Sequence, residues 1–547
     1  MTAWITRLVL LSGLIAALVF FHHSRAHRPP RVDAAREKGI LLVGNGSDPA
    51  TLDPHLATGT PEHAILDSIF EGLVAATPED PDANGHGAAE RWETEDFVHW
   101  TFHLRKNARW SDGAPVTARD FLFAFERILT PALGADYAPM LYPLRNAEEF
   151  NTGKIPGFQE VGASAPDDHT LKLVLKGPAP YLLSMLKHYA WYPVPRHVIE
   201  RHGKMTDRVS PWTRPGNLVG NGAFQLREWR LTHYVSVERN PHYWDAGSVR
   251  LNGIHFFPIV SDSTEERAFR DGQLHTTLTL PLAKIPLYQR QHPDLLRVDP
   301  ILSVYFYRCN VTRKPLDDAR VRRALAQAVD RSAIVENILR AGQKPAHGLT
   351  PPGSSPDYTT PDVLRFDPEK ARALLAEAGY PDGRGFPRFE ILINTNEAHR
   401  SIAEAVQEMW KKHLKISIGV RNEDWGVYLD SQRKLDYSVC RAAWQGDYLD
   451  PFTFLSMWKT GDGNNNTGWG SPAYDALMDA SSREPDTTRR MAQLQEAERL
   501  LLDELPMLPL YWYVHTWLKR PEVQGWPPSL LDHRCYKAIH FQESGRR

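Results

Sequence analysis

The segment HWTFHLRKNARWSDGAPVTARDFLFAFERIL (residues 99–129) contains the local pattern that recurs along the whole chain. Apolar residues alternate with polar ones between Trp100 and Leu104, which is typical of a half-buried strand. An Asp-Gly turn follows. Thr117 and Asp120 then form a capping box in front of an apolar run with helical spacing. The segment therefore predicts a strand, a turn and a helix.

The same alternation extends to both sides of this segment. Strands are predicted at 39–46, 303–312, 388–396, 416–424 and 507–514, a two-stranded meander at 221–244, and helices at 62–74, 321–339, 367–379, 401–414 and 487–506. Strands that alternate with helices favour an α/β fold with helices packed on the faces of the sheets.

Length and composition indicate a soluble protein with several domains. The chain has 547 residues, too many for one hydrophobic core, so two or three domains are expected. Its 64 basic and 66 acidic residues nearly cancel, so no charge excess indicates a nucleic-acid partner. The 16 tryptophans supply rings that can form the core or line an amphipathic cleft.

The N-terminus has the pattern of an export signal. Arg7 precedes the apolar run 8–21, and a basic, proline-rich segment follows. The run is short for a membrane-spanning helix, although Trp4 and Ile5 extend it. Cleavage near Ala26 and retention as an inner-membrane anchor both stay open. We expect a periplasmic protein, either free or anchored by this segment.

The three cysteines do not indicate a metal site. Cys309, Cys440 and Cys535 are odd in number, and their spacing fits no zinc pattern. An exported protein can form a disulfide, and a bond between Cys309 and Cys440 is one candidate.

The sequence contains none of the common catalytic signatures. Nucleophile elbows (G-x-S-x-G), H-E-x-x-H motifs, Walker A loops and G-x-G-x-x-G loops are all absent from it. The polar loop 460–470 lacks the spaced carboxylates of a calcium loop. We therefore predict that the protein is not an enzyme and needs no cofactor. An exported hydrolase stays an alternative, because catalytic residues can be dispersed along a chain.

Polar and aromatic residues cluster instead at the ends of predicted strands. The clusters are TLDPHLATGTP (51–61), DYAPMLY (136–142), NTNEAHR (394–400), CRAAWQGDY (440–448) and YWYVH (511–515). Such clusters suit a ligand that is both charged and apolar. Asp447 alone is compatible with a catalytic acid, a metal ligand, half of a salt bridge or a counter-charge for a cationic ligand.

A series of motifs makes the chain resemble the extracytoplasmic solute-binding proteins of family 5, and among them the oligopeptide-binding members. The motifs are TLDPHLATGTPE, IFEGL (69–73), WTFHLRKNARWSDGAPVTARDF (100–121), DDHTL (167–171), NGAF (221–224), ARVRRAL (319–325), LLAEAGY (374–380), WKKHL (410–414), SPAYD (471–475) and PLYWYV (509–514). They follow one another over nearly the whole mature chain.

This resemblance implies a fold and a division into domains. The fold is α/β, with the two hinged lobes of a type II periplasmic binding protein and an extra third domain. Residues 1–35 are expected to form a signal or anchor and a linker. Lobe I is expected to combine residues 36–70, 197–302 and 515–547. The extra domain is expected to comprise residues 71–196, and lobe III residues 303–514. Hinge motion then closes the lobes on a ligand.

The resemblance also implies roles for individual residues. Asp447 matches the aspartate that takes the α-ammonium group of a peptide, a charge that burial would make costly without a partner. Arg441 and Trp444 match residues that line the same site, and Ala443 stands where the motif usually has glycine. Three further positions match ligand contacts: Tyr137 and Tyr513 as aromatic rings, and His399 near the carboxylate end of longer peptides.

Three positions depart from the family pattern. Thr58 replaces a glutamate near the peptide, Arg308 replaces an acidic lining residue, and Gln432 replaces an arginine that meets peptide carboxylates. Recognition of the amino end is thus retained, whereas the charges around the rest of the ligand are altered. Loss of two acids predicts that cationic peptides are disfavoured.

The function implied is that of the substrate-binding component of an ABC transporter. We expect a monomer that binds short peptides in the cleft between its lobes and passes them to permease subunits in the inner membrane. One alternative keeps the fold but binds another solute, such as a cell-wall peptide, a metal chelate or haem. A membrane-tethered sensor is another.

Overall fold

The computed structural model describes residues 31–542, which form three main β-sheets with helices packed around them. In order of pairing, the strands of the first sheet are Ile40–Gly44, Gly253–Phe257, Tyr234–Arg239 and Phe224–Arg230. Those of the second sheet are Ala89–Glu93, His99–Leu104, Thr170–Val174 and Ala163–Asp167. Those of the third sheet are Lys344–Pro345, Met507–Leu518, Leu296–Cys309, Val439–Gln445, Glu390–Asn394 and Gly419–Glu423. Val74–Ala75 pairs with Gly85–His86, and Val523–Gln524 pairs with His540–Phe541.

The helices are distributed along the whole described chain. The α-helices are Arg31–Glu37, Thr60–Ile69, Ala118–Leu129, Ala147–Asn151, Leu182–Met185, Arg196–His202, Asp262–Arg270, Ile285–Gln291, Ala319–Gln327, Arg331–Ile334, Pro368–Glu377, Glu397–Leu414, Trp425–Arg433, Phe452–Leu455, Pro472–Ser481 and Thr487–Glu504. Between residues 31 and 542, none of the helices has both the length and the apolar character needed to cross a bilayer.

The strand, turn and helix expected at residues 99–129 are confirmed. The strand His99–Leu104 buries alternate side chains, and the helix Ala118–Leu129 follows. The Asp120 carboxylate accepts hydrogen bonds from the backbone N–H (2.7 Å) and the hydroxyl (3.0 Å) of Thr117. The capping box therefore starts this helix as the sequence predicted.

The first and second sheets share one hydrophobic core and are joined by a buried ion pair. Arg127, on the helix Ala118–Leu129, donates to both carboxylate oxygens of Asp53 at 2.9 and 2.6 Å. Both residues are buried. Burial alone would raise the pKa of Asp53, but the Arg127 guanidinium holds it below its ordinary value. Removal of one member of such a pair costs about 3–5 kcal/mol.

Two long antiparallel strands, Leu296–Cys309 and Met507–Leu518, connect the first sheet to the third sheet. At one end, Leu296 and Leu518 pack in the core beside the strand Ile40–Gly44. At the other end, the strands lie within the core of the third sheet, and their register shifts between Pro300 and Val304. The expected boundaries at 302/303 and 514/515 fall inside these strands. The domain limits stay a prediction.

Two expected helices differ from those in the structure. The helix predicted at 62–74 ends at Ile69, because the Asn221 side chain accepts from the backbone N–H of Glu71 (3.0 Å) and donates to its carbonyl (2.8 Å). The helix predicted at 321–339 is interrupted after Gln327. There the Asp330 carboxylate accepts from the N–H of Ala333 (3.0 Å) and caps a new helix.

The candidate disulfide between Cys309 and Cys440 is wrong. Cys309 pairs with Val439 across neighbouring strands, whereas Cys440 pairs with Arg308. The two side chains therefore point to opposite faces of the sheet, and all three cysteines are free and buried.

The expected leader lies largely outside the described residues. Residues 31–35, which we assigned to its linker, instead belong to the helix Arg31–Glu37, and Val32 and Ala35 are buried there.

Candidate functional site

A cavity of about 260 Å³ lies where the end of the strand Val439–Gln445 meets segments near residues 60, 137, 188 and 533. Five of the residues predicted from the sequence line it: Thr58, Tyr137, Ala443, Trp444 and Asp447. Its other walls include Gly59, Thr60, His63, His188, Tyr189, Gln445, Gly446, Leu531 and His533. The fold thus brings together residues that are up to 475 positions apart in the sequence, from Thr58 to His533.

Asp447 supplies a negative charge to this cavity. It follows the strand Val439–Gln445, and its backbone N–H donates to the Thr453 hydroxyl (3.2 Å), which lies 3.5 Å from Asp447 Oδ2. Within residues 31–542, no basic side chain forms an ion pair with Asp447. Burial raises the pKa of Asp447 to about 7, although Thr453 and the charge of His63 offset part of that rise. A ligand cation would supply the missing partner.

Aromatic rings surround this carboxylate. The Tyr137 ring lies 4.8 Å from that of His188 and 5.7 Å from that of Tyr189, in an edge-on arrangement with the latter. Burial and the charge of Asp447 both raise the pKa of Tyr137. Within the described part of the chain, the buried Trp444 Nε1–H has no hydrogen-bond partner. The wall therefore offers apolar contact together with a donor that a ligand can use.

Arg441 is the centre of a second cluster, on the same strand as Trp444. Its guanidinium donates to Asn394 Oδ1 (3.3 Å) and the Tyr513 hydroxyl (3.1 Å), and lies 5.0 Å from the centre of the Tyr305 ring. No carboxylate in the described range forms an ion pair with it. Arg441 is therefore a partly buried positive charge whose direct partners are neutral.

His399 belongs to the cluster around Arg441. Its ring centre lies 5.6 Å from that of Tyr305. Burial and the neighbouring Arg441 charge lower the pKa of His399 to about 3, so the imidazole is neutral at physiological pH. The structure therefore brings His399, Arg441 and Tyr513 together, as a group beside the cavity residues.

Arg308 and Gln432 lie elsewhere. The Arg308 guanidinium donates to Gln432 Oε1 and to the Asn464 carbonyl (3.0 Å), and both side chains are buried. Arg308 pairs with Cys440, so its side chain points to the opposite face of the sheet from Arg441. The two residues that depart from the family pattern are thus hydrogen-bonded to each other.

Sequence reasoning missed several residues of the cavity wall, among them His63, His188, Tyr189 and His533. His63 lies in the helix Thr60–Ile69, directly after the cluster TLDPHLATGTP, and that proximity is the one local signal available for it. His533 comes from the C-terminal segment, where no strand-end pattern marks it. Only the tertiary fold places these histidines beside Asp447.

More than half of the chain matches a family of known proteins. The model of the bacterial extracellular solute-binding proteins, family 5, matches residues 85–466. The periplasmic oligopeptide-binding protein OppA of Salmonella typhimurium is 35% identical over 529 residues, which cover 95% of each chain. The probable deoxycholate-binding periplasmic protein YgiS of Escherichia coli is 34% identical over 537 residues, 96% of this chain and 95% of that protein.

Solved structures agree with these relatives and confirm the expected fold. The Escherichia coli murein tripeptide-binding protein MppA superposes with a TM-score of 0.82 at 33% identity, over 92% of this chain and 98% of that one. The unliganded open form of MppA, with the same coverage, gives a TM-score of 0.74. Because identity and coverage are unchanged, the lower score reflects conformation. The overall arrangement of this chain is thus less similar to that open form than to the other MppA structure.

Proposed function

The chain belongs to the bacterial extracellular solute-binding proteins of family 5, and we propose that it binds short peptides between its lobes and delivers them to an ABC importer in the inner membrane. Proteins of this family are solute-binding components of ABC transport and not enzymes. The relatives carry names of different ligands, namely oligopeptides, murein tripeptide and deoxycholate. The ligand of this chain must therefore be inferred from its own site.

One observation carries the proposal: two charges of opposite sign lie close in sequence, and neither forms an ion pair within residues 31–542. Asp447 faces the cavity with a buried carboxylate. Arg441 lies on the preceding strand with only neutral hydrogen-bond partners. Leaving both charges uncompensated costs free energy, which a ligand with an ammonium group and a carboxylate group would recover. A peptide with free termini has both groups.

The spacing of the two charges limits the length of the peptide. Arg441 and Asp447 are six positions apart in the sequence, so their Cα atoms are at most about 22 Å apart. An extended peptide of five residues spans at most about 18 Å. Peptides of two to five residues stay within this upper limit, and we propose that they bind with the amino end at Asp447 and the carboxyl end toward Arg441.

The rings around Asp447 support a peptide over a purely polar solute. Tyr137, Tyr189 and Trp444 provide apolar surface next to the charge, which suits the first side chains of a peptide. We also infer that the protein works in the periplasm, as the names of its relatives state for them. Whether the N-terminal segment is removed does not affect this assignment.

Native mass spectrometry of freshly purified protein tests the proposal most directly, because it weighs any ligand that is carried through purification. In parallel, dipeptides to pentapeptides should raise the melting temperature in proportion to the logarithm of their concentration. The matched control is the same peptide with an acetylated amino group, which removes the charge that Asp447 is proposed to bind.

The two arms give clear outcomes. A co-purified mass of two to five amino acids, together with stabilisation by free but not acetylated peptides, supports the proposal. Binding of deoxycholate, haem or a metal chelate in the absence of any peptide binding would overturn it. Equal binding of free and acetylated peptides would overturn the assigned role of Asp447.

A further inference from the structure

A cluster of three potential metal ligands lies beside the cavity. His63 Nε2 is 3.1 Å from Asp67 Oδ2, and His533 Nδ1 is 3.8 Å from the same oxygen. The three donor atoms all lie within 4.8 Å of one another. Peptide binding as proposed above makes no use of Asp67, and His63 and His533 have no role in it beyond lining the wall.

From this arrangement we propose that His63, Asp67 and His533 bind a divalent transition-metal ion, for which Zn²⁺ is the best match. Two imidazoles and one carboxylate are a common donor set for zinc. Zinc bonds to nitrogen and oxygen are about 2.0–2.2 Å long, so donors in a tetrahedral site lie about 3.3 Å apart. Two of the separations are 3.1 and 3.8 Å and the third is at most 4.8 Å, so binding requires side-chain rotations that bring the two histidine nitrogens closer together.

The backbone holds the three donors in place from two distant parts of the chain. His63 and Asp67 are four residues apart on the helix Thr60–Ile69, which puts them on one face, one turn apart. His533 lies in the C-terminal segment, and its backbone N–H donates to the Ser529 hydroxyl (2.9 Å). The rings of His63 and His533 meet edge to face, with centres 5.6 Å apart.

Ordinary hydrogen bonds do not account for this cluster, because within residues 31–542 the buried atom His63 Nε2 has no hydrogen-bond partner although it lies 3.1 Å from Asp67 Oδ2. The 3.8 Å from His533 Nδ1 to Asp67 Oδ2 is too long for a hydrogen bond. Within residues 31–542, the buried His533 Nε2 has no hydrogen-bond partner either. A buried imidazole without hydrogen bonds is costly. A metal ion between the three donor atoms would supply the missing partner of His63 Nε2 and a bond to His533 Nδ1.

The surroundings of the cluster resemble the outer shell of a metal site. The Tyr192 hydroxyl donates to Asp67 Oδ1 (3.1 Å), which leaves Oδ2 directed at the two histidines. Two positively charged side chains, Arg534 and Lys187, lie nearby, and both already have partners other than the three donors. Arg534 pairs with Asp532 (3.1 Å), and the Lys187 ammonium donates to the backbone carbonyls of residues 81–83.

The free coordination position of such an ion would face the cavity. His63 and His533 line the 260 Å³ cavity, whereas Asp67 does not. Three protein donors leave one position of a tetrahedral ion open for water or for a donor atom of a ligand. The ion would therefore lie in the wall that faces the carboxylate of Asp447, where it adds a positive charge to the site.

Titration of the full-length, untagged protein with Zn²⁺ after removal of metals by a chelator tests this site. We expect one ion per chain by calorimetry, and tetrahedral absorption bands when Co²⁺ replaces Zn²⁺. His533→Ala and His63→Ala should each weaken Zn²⁺ binding by more than the about 10–100-fold that loss of an outer-shell group causes. Asp67→Asn keeps the size of the side chain and should weaken binding as well.

The controls separate this site from other histidines. His197→Ala removes a histidine that pairs with Asp112 away from the cavity, and it should leave Zn²⁺ affinity unchanged. The histidines at 22, 23 and 27 remain in every variant, so any binding by them is common to all titrations. Circular dichroism checks that each variant is folded, and Asp67→Asn stays informative if His533→Ala does not fold. The absence of stoichiometric binding to the parent, or unchanged affinity in folded His533→Ala and Asp67→Asn, would overturn the proposal.

Discussion

The two charged regions of the candidate site are built in different ways. Arg441 is surrounded by neighbours from the third sheet and the start of one helix, and its guanidinium already has hydrogen-bond partners. Asp447 faces a wall assembled from segments near residues 60, 137, 188 and 533, and its charge has no basic partner in the described range. Asp447, which lacks a basic partner, is therefore also the residue whose surroundings depend most on the packing of distant segments against one another.

This difference predicts unequal contributions to binding. A buried charge without a partner gains most from a ligand, because it has been removed from water without compensation. A charge that keeps two neutral hydrogen bonds gains less. Asp447 should therefore contribute more to affinity than Arg441, and each of the following predictions tests a part of that ranking.

The largest effect is expected from Asp447→Asn. Removal of one member of a buried charge pair costs at least about 2 kcal/mol, so peptide affinity should fall at least about 30-fold. Titration calorimetry with one tripeptide, free and N-acetylated, measures this. The variant should bind both forms alike, and a variant that still prefers the free amino group would contradict the ranking.

Arg441→Gln should have a smaller effect, about tenfold. The loss should concern peptides with a free carboxylate, whereas C-terminally amidated peptides should bind the parent and the variant with similar affinity. The same calorimetric titration with the two peptide forms gives the answer. If Arg441→Gln weakened binding more than Asp447→Asn, the order of the two regions would be reversed.

The pH dependence of binding should follow Asp447. Its pKa in the free protein is raised from 3.8 to about 7, and binding of an ammonium group requires the ionised form. Below pH 7, affinity should therefore fall by up to about tenfold per pH unit.

Stability of the free protein should change in the opposite direction through the same group. The folded state binds a proton between pH 3.8 and about 7 that the unfolded state does not, so this carboxyl destabilises the free fold above pH 7 and the cost is relieved as pH falls. Melting curves and peptide titrations from pH 5 to 8 measure both trends, and Asp447→Asn should remove the contribution of this carboxyl group to each. Affinity that rises toward pH 5 would rule out the ionised Asp447 as the ammonium acceptor.

The smallest effect is expected from the altered positions Arg308 and Gln432. Arg308 lies on the far face of the sheet and is held by Gln432, so its charge reaches the ligand only weakly. Lys-containing peptides should bind a few-fold more weakly than neutral peptides of equal length. A competition assay with matched tripeptides shows this, and a preference for the lysine peptides would refute the prediction.

Local signals were enough to predict much of the secondary structure. The capping box of Thr117 and Asp120 and the alternation between Trp100 and Leu104 depend on neighbours a few residues apart, so they can be read from the sequence. Glu71 is different. Asn221 holds its backbone from 150 positions away, and this contact ends the helix at Ile69 where periodicity alone would continue it. Cys309 and Cys440 could not be judged without the strand register.

The candidate site divides in the same manner. Asp447, Trp444 and Arg441 share a motif, and resemblance to a family located them. His63 and His533 come close only through the tertiary fold, and neither stands in a pattern typical of a ligand. Resemblance also could not show that Arg308 and Gln432 hydrogen-bond to each other, since each is a departure from the family motif.

The buried pair of Asp53 and Arg127 has a consequence for the mechanics of the protein. It links the segment that follows the strand Ile40–Gly44, which contains Asp53, to the helix Ala118–Leu129. Both belong to one continuous hydrophobic core. Sliding one of these parts against the other would expose two charges to apolar surroundings without partners. We therefore expect the first and second sheets of residues 31–542 to move together as one unit relative to the third sheet. The cavity residues attached to this shared core, such as His63 and Tyr137, would then approach Asp447 together and not one after the other.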